Sequence, residues 1–175
     1  MVTDRPVWTA DEALEQLYAA HWRRLVRLSV LLVHDQGLAE EIVQDAFVAV
    51  HGRWGRLRDP DRALAYLRQA VVNRSRSALR HRGVEARYAA REMNSPDRRA
   101  VPGADEPALV DARRDSVLGA MRALPQRQRE VLALRYYLDL SESEIADTLG
   151  ISRGAVKSHA SRGAATLRSL LQEDL

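Results

Sequence analysis

Cysteine is absent from the 175 residues. This absence excludes disulfide bonds and thiolate metal ligands, and it fits a reducing compartment. No run of about 18 apolar residues occurs, so the sequence predicts no membrane-spanning helix. The first residues lack the basic start and apolar core of a secretory signal peptide. We therefore expect a soluble protein of the cytoplasm without membrane insertion.

Lysine is nearly absent too, since Lys157 is the single lysine beside 26 arginines. Arginine suits bidentate contact with phosphate, although a GC-rich genome produces the same bias. Residues 51–100 hold 13 basic and five acidic side chains, whereas residues 1–50 hold four basic and eight acidic ones. The basic block favours a polyanionic partner. A solvated, arginine-rich surface is the alternative.

Patterns of enzyme active sites are also missing. No glycine-rich phosphate loop or Ser/His/Asp motif is evident, and no two histidines lie at metalloprotease spacing beside a carboxylate. The five histidines are scattered along the chain: His21, His34, His51, His81 and His159. We therefore expect no enzyme, no cofactor and no metal site.

The apolar residues that are present recur almost everywhere at helical spacing, and no stretch shows the alternation of a strand. The sequence thus predicts an all-α fold. The helices predicted for the first half are one from the Thr9–Glu12 capping box to a break at Gly37, one from Leu38 to Trp54, and one from Asp59-Pro60 to about Arg82.

Composition changes after this first half. The segment 88–111 contains three prolines and a glycine with few apolar residues, which is typical of a linker and too long for an ordinary loop. We predict two small helical domains, 1–87 and 112–175, joined by a flexible linker at 88–111.

Residues 141–170 have the internal pattern of a helix-turn-helix. Ser141 and Glu144 form a capping box that opens a short helix. Ala146 is small, as the crossing of two helices requires, and Gly150 suits a turn with positive φ. Val156 would point back into the crossing.

The second helix of this motif has a cationic outer face. Four cations and no acid occur between Ser152 and Ser169, a pattern that suits phosphates and the edges of bases in the major groove. An ordinary helical hairpin with a solvated basic face is the alternative. The predicted DNA-binding residues are Arg153, Lys157, Ser158, His159, Ser161 and Arg162.

With these residues in place, the chain resembles the extracytoplasmic-function (ECF) sigma factors of RNA polymerase, particularly their short actinobacterial type. The resemblance covers about residues 12–85 and 112–171. It rests on four segments in the family's order: 39–47 (AEEIVQDAF) resembles region 2.2, 65–77 (AYLRQAVVNRSRS) regions 2.3 and 2.4, 124–131 (LPQRQREV) region 4.1, and the helix-turn-helix region 4.2.

The resemblance implies an alternative sigma factor that binds RNA polymerase core through its β′ and β subunits and recognises the −10 and −35 elements of promoter DNA. The −35 element would fall to the helix-turn-helix. Residues implied for the melted −10 strand, in a basic helix and the loop before it, are Arg58, Arg62, Tyr66, Asn73, Arg76 and Arg80. Residues implied for core polymerase, on an acidic helix, are Glu41, Gln44, Asp45 and Val48.

Other interpretations stay open at this point. The acidic helix is also explained by a solvated amphipathic face, and Trp54 and Tyr66 by burial in the core. A helix-turn-helix regulator that acts without polymerase is the alternative function. Because no sensory domain is recognisable, the resemblance implies control by a separate anti-sigma factor, with control by transcription alone as the alternative.

Overall fold

The computed structural model of the chain describes residues 9–92 and 109–173. These residues form seven α-helices and no strand, so the all-α prediction is confirmed. Two 3-10 turns, Trp54–Arg56 and Pro60–Arg62, precede the third helix, and a π-helical turn, Ala133–Tyr137, follows the fifth. The helices are α1 (Ala10–Val33), α2 (Gln36–Gly52), α3 (Ala63–Glu92), α4 (Leu109–Ala123), α5 (Gln126–Leu132), α6 (Glu142–Leu149) and α7 (Arg153–Glu173).

The break between α1 and α2 comes earlier than the sequence suggested. The helix was expected to end at Gly37, but it ends at Val33, and Gly37 lies inside α2. His34 adopts the left-handed conformation with φ 58°, and the Asp35 carboxylate accepts the amide of Leu38 at 2.8 Å. The aspartate cap therefore starts the new helix before the glycine is reached.

Helix α3 is longer than expected. It was predicted to end near Arg82 and instead continues to Glu92, past the predicted domain boundary at residue 87. Helix α4 begins at Leu109, so the predicted linker 88–111 is helical at both of its ends. Residues 93–108 of that linker lie outside the described residues.

The helices form two units with one continuous core. Helices α1, α2 and α3 pack together around Leu28, Val43 and Leu67, and α4 to α7 pack around Val131 and Ile145. All five side chains belong to the same cluster of buried residues. The two predicted domains therefore pack directly against each other in this structure.

Hydrogen bonds to backbone carbonyls join the two units. Arg24 of α1 donates to the carbonyl oxygens of Tyr137 and Leu138, at 3.4 and 3.2 Å. Arg129 of α5 donates to the carbonyl of Leu32 at 3.1 Å. The same guanidinium also reaches three carbonyls at the end of α4, those of Met121, Arg122 and Leu124, at 2.8–2.9 Å. Arg129 thus satisfies acceptors that the ends of α1 and α4 leave open.

Candidate functional site

Helices α6 and α7 form the helix-turn-helix that the sequence predicts. Ser141 caps α6, and Glu144 completes the capping box, which lowers the pKa of the Glu144 carboxyl through hydrogen bonds from Ser141. Gly150 ends α6 with φ 64°. The Ser152 hydroxyl then accepts the amide of Ala155 at 3.1 Å and so caps α7. Val156 is fully buried in the crossing.

A glycine sets how closely α7 approaches α5. A Cβ built on Gly163 would lie 3.1 Å from Cδ1 of Leu132 and 3.2 Å from Cβ of Gln128. Such contacts are tighter than ordinary van der Waals spacing, so a larger residue there would require Leu132 and Gln128 to shift by a few tenths of an ångström. Gly163 therefore helps to position the outer face of α7.

The residues predicted for duplex DNA lie on the outer side of α7 with two partial exceptions. Arg153, Lys157, Ser161 and Arg162 are exposed, whereas Ser158 and His159 are half-buried. Nη2 of Arg162 donates to Oγ of Ser158 at 2.6 Å. Together the six predicted residues form a polar surface that starts at the exposed N-terminal turn of α7.

One residue at this surface was not predicted from the sequence. Glu142, in the first turn of α6, has a carboxylate oxygen 3.8 Å from Nζ of Lys157 and another 3.7 Å from Nη1 of Arg135. The acid-free stretch of α7 gave no hint of it, because the acid comes from the preceding helix. Glu142 thus competes with any anion that approaches Lys157.

The residues predicted for the −10 strand lie mostly along one side of α3. Their spacings of three and four residues return a helix to the same face. Asn73 and Arg80 are exposed on this side, and Tyr66 is half-buried. Arg62 is exposed in the turn that leads into α3, and Arg58 is exposed in the segment before that turn, off the helix.

The guanidinium group of Arg76 is already bound to a carboxylate of the second unit. Its Nε and Nη2 atoms donate to the two carboxylate oxygens of Glu130 on α5, at 3.0 and 2.9 Å. Glu130 is 2% exposed, and it also accepts hydrogen bonds from Gln126 and Arg127. This bidentate ion pair joins the two units, and the sequence gave no indication of it.

Near the start of α3, this helix and α6 border a cleft of about 420 Å³. Arg62, Tyr66 and Arg68 line it from the first unit, and Glu144 from the second, with Arg68 and Glu144 4.0 Å apart. Tyr66 and Trp54 are both partly buried against the core. The cleft therefore brings acids of the second unit close to cations of the first.

The residues predicted for core polymerase share the outer face of α2. Glu41, Gln44, Asp45 and Val48 are all exposed, and Val48 is 66% exposed despite its apolar side chain. The opposite side of α2 is buried through Val43, and this amphipathic arrangement leaves the acidic face free for a partner.

An aromatic cluster beside this acidic face was not recognised from the sequence. The rings of Tyr18 and Trp22 stack with centroids 4.7 Å apart, and Tyr18 meets Phe47 edge-on at 5.3 Å. Tyr18 is 47% exposed although its ring stacks on a neighbour. Tyr18, Phe47 and Val48 line a shallow groove that continues the face of α2 towards α1.

No three histidine or acidic side chains within residues 9–92 and 109–173 come together as a metal site. None of the helices over the same residues has the length and apolar character needed to cross a membrane.

Comparison with known protein families divides the chain as its two units do. Residues 17–84 match the family "Sigma-70 region 2", and residues 114–167 match the family "Sigma-70, region 4". The chain is similar to the RNA polymerase sigma factor CarQ of Myxococcus xanthus, with 34% identity over 94% of this chain and 92% of CarQ. It is also similar to the ECF RNA polymerase sigma factor SigM of Mycobacterium tuberculosis, with 32% identity over 91% of this chain and 77% of SigM.

Solved structures share the arrangement of both units. CnrH, in complex with the cytosolic domain of CnrY, superposes with a TM-score of 0.70 at 26% identity, over 95% of this chain and 96% of CnrH. The sigma factor RpoE of Bartonella quintana, in complex with the anti-sigma factor NepR, has a TM-score of 0.72 at 23% identity, over 92% of this chain and 98% of RpoE. The second likeness concerns the fold alone.

Proposed function

The chain belongs to the ECF sigma factors of the sigma-70 family and directs transcription initiation, and from this premise we propose how its surfaces divide the work. The helix-turn-helix of the second unit, within 112–175, binds the −35 element as duplex DNA. The observation that carries this assignment is the buried crossing at Val156 beneath an exposed cationic face with Arg153 and Lys157. Residues Ser158, His159, Ser161 and Arg162 complete the surface.

The first unit, within 1–87, binds the melted −10 strand with one side of α3. Single strands bind to positive grooves that also offer stacking or pocket contacts. Arg62, Arg76 and Arg80 supply charge, Tyr66 an aromatic ring and Asn73 an amide for an unstacked base, with Arg58 on the approach. Arg76 binds the strand only after Glu130 has released it, because one guanidinium fork cannot hold both partners.

The outer face of α2 binds the β′ and β subunits of RNA polymerase core. Glu41, Gln44 and Asp45 supply a polar, acidic surface, and Val48 supplies exposed apolar area beside it. A regulator that acts without polymerase is not favoured, since the region 2 match spans residues 17–84, which such a regulator does not need.

In vitro transcription tests the whole assignment. The purified chain, added to core polymerase and genomic promoter fragments, should start transcription at a defined subset of sites that core alone ignores. A variant in which Arg153→Ala is combined with Lys157→Ala should lose these starts while still assembling with core. Starts that do not depend on the added chain would refute the assignment.

A separate anti-sigma factor holds the free protein inactive. This part of the proposal is supported by a groove of about 630 Å³ between α1, α4 and the π-helical turn, lined by Trp22, Val30, Val117 and Tyr137 among others. CnrH and RpoE were both solved with a bound partner. Purification from uninduced native cells should recover a stoichiometric inhibitor, and recovery of the chain only free or on polymerase would instead support control by its own transcription.

The protein acts in the cytoplasm, where polymerase and promoter DNA are, and it is not an enzyme. Its activity needs no cofactor beyond the polymerase itself, so exhaustive dialysis against a chelator before assembly with core should leave its promoter binding unchanged.

A further inference from the structure

The last turns of α3 project beyond the packed body of the protein. Every described side chain from Val84 to Arg91 is exposed, including Val84 at 44% and Tyr88 at 64%. This part of the helix also lies beyond residue 84, where the region 2 match ends. No packing within the described residues explains why the helix continues here.

The charges of this segment are sorted by face. Arg80, Arg87 and Arg91 are seven and four residues apart, so they lie on one side of the helix. We call these three residues the arginine stripe. Glu85, the only acid between Arg76 and Arg91, is two residues from Arg87 and therefore lies on the other side.

Within the described part of the chain, charges off the stripe are paired with an opposite charge, and those on the stripe are not. Glu85 lies 3.8 Å from the His81 imidazole, and Arg82 is 2.7 Å from the Asp35 carboxylate. Arg80 donates only to the hydroxyl of Ser77, and Arg87 only to the carbonyl of Gly83 in its own helix. Within the described residues no carboxylate pairs with any member of the stripe. Three guanidinium groups are thus available to an external anion.

We propose that the arginine stripe follows the DNA across the upstream edge of the −10 element, with Arg80 at the −10 strand and Arg87 and Arg91 on the phosphate backbone of the duplex immediately upstream. This inference rests on the proposed function, in which the earlier turns of α3 bind the −10 strand. The stripe lies on the same side of α3 as Asn73 and Arg76, so one surface continues from the strand to the duplex. At 1.5 Å per residue it is about 16 Å long.

Two observations favour duplex over single-stranded DNA. Single strands are held by repeated stacking on aromatic rings, and Tyr88 is the only aromatic residue between Arg80 and Arg91. The chain also leads from the end of α3 towards the second unit, which reads the −35 element. DNA between the two elements is duplex, and its regular phosphate spacing suits a rigid row of cations.

The first test is a loss of charge on the stripe. Holoenzyme assembled with an Arg87→Ala, Arg91→Ala double variant is compared with wild type on two DNAs at several salt concentrations. One DNA is the −10 single strand, and the other is the same strand joined to one helical turn of upstream duplex that stops short of the −35 element. The variant should reduce the salt dependence of binding by about two phosphate contacts on the forked DNA and leave the single strand unchanged.

The second test adds charge at matched positions. Val84→Arg places a fourth arginine beside the stripe, whereas Ala86→Arg adds the same charge to the same turn on another side. Only Val84→Arg should tighten binding to the forked DNA. Equal gains from both variants would mean that bulk charge is responsible and would overturn the inference.

The other outcomes separate this inference from the function on which it rests. An equal loss on both DNAs would assign the stripe to the single strand, and a loss of assembly with core would assign it to polymerase. Each overturns the inference and leaves the proposed function standing. Wild-type holoenzyme that binds neither DNA would refute the −10 assignment and the inference with it.

Discussion

Single side chains in this protein are often held by a partner from another element. Lys157, the only lysine, lies on the helix proposed to read DNA, yet its ammonium group is 3.8 Å from Glu142 on the preceding helix. An exposed pair of this kind contributes little to stability. Its main effect is on binding, because the lysine must leave the carboxylate before it can contact a phosphate.

We therefore expect substitutions of Lys157 and of Glu142 to change the affinity for −35 DNA in opposite directions. Arg153→Ala or Lys157→Ala should weaken binding to −35 duplex DNA by about 1–3 kcal/mol for a base contact, with a smaller salt dependence if the contact is a phosphate. Glu142→Gln should strengthen it, because it frees Lys157. Titration of labelled duplex at fixed salt measures both. If Glu142→Gln weakens binding, the carboxylate is positioning the lysine for DNA instead of competing for it.

His34 is a second residue with an unusual environment. It ends α1 in the left-handed conformation, and its Nε2 atom is buried without a hydrogen-bond partner among the described residues. Burial lowers the pKa of His34 from its usual value to about 4, and the charges of Arg129 and Arg122 add to the effect. In the folded protein this imidazole is therefore neutral above about pH 4.

The consequence is a loss of stability in acid. Below pH 6.5 the unfolded chain binds a proton at His34 that the folded chain refuses, so the free energy of unfolding should fall as the pH drops from about 6.5 to about 4. Burial and the nearby Arg68 and Arg24 lower the pKa of His21 as well, and it contributes in the same direction. The substitution His34→Asn should reduce the dependence of the free energy of unfolding on pH, measured by urea titration. Asparagine is chosen because it tolerates the left-handed conformation. The same change at exposed His81 is the control, and an equal effect there would contradict the assignment.

Local features at this scale were predictable, and distant ones were not. The capping boxes at Thr9 and Ser141 and the positive φ of Gly150 follow from residues within four positions, and the structure confirms each. The Arg76–Glu130 pair joins residues 54 positions apart. No periodicity carries that information, because a buried carboxylate before Val131 has the same sequence pattern as a solvated one.

Among the helices, α2 shows most plainly how one element serves two purposes. One side is buried against α1 and α3, and the other presents an acidic face beside the aromatic groove of Tyr18 and Phe47. The burial pattern was predictable from spacing alone. The groove was not, because α1 contributes half of it and its aromatic rings look like ordinary core residues in the sequence.

The acidic face should be separable from the fold. Gln44→Ala combined with Asp45→Arg should abolish assembly with polymerase core, while circular dichroism shows an unchanged helical content, because both side chains are exposed. A control makes the same two exchanges in the first turns of the same helix, outside the four predicted residues: Gln36→Ala with Glu40→Arg. Normal assembly of the first variant in gel filtration would contradict the assignment of α2.

Helix α3 shows where helix ends are hard to predict. An end near Arg82 was expected because the apolar residues at helical spacing stop at Leu79. The helix continues through Gly83, since a single glycine costs only about 1 kcal/mol relative to alanine. Three alanines at 86, 89 and 90 then favour helix again. The extra turns place the arginine stripe beyond the body of the protein.

For the whole molecule, the sequence predicted two units but not that they would pack together. Three kinds of contact join them: the shared core, the Arg24 and Arg129 hydrogen bonds to carbonyl groups, and the ion pairs Arg76–Glu130 and Arg68–Glu144. A proline-containing linker is compatible with packed and separated units alike. Its composition therefore could not decide between them.

A double-mutant cycle measures how much the ion pair couples the units. Arg76→Ala and Glu130→Ala should each lower the free energy of unfolding, with a coupling of about 0.5–3 kcal/mol, as for contacting residues in general. Glu130→Ala should also raise the affinity of the free protein for −10 single strand, because it releases Arg76. Arg127→Ala is the control, since Arg127 contacts Glu130 within its own helix. A gain in strand binding by the Arg127 variant equal to that of Glu130→Ala would show that release of Arg76 is not the cause.

The carboxylate that holds Arg76 also links the two ligands of the molecule. If polymerase core and promoter DNA both favour the separated units, whichever binds first supplies the free energy of separation, and the second meets a protein that is already open. By thermodynamic linkage each then raises the affinity for the other by the same factor. Under the proposed function, the Arg76–Glu130 ion pair would thereby make polymerase and promoter cooperative ligands, although no surface of the protein need touch both.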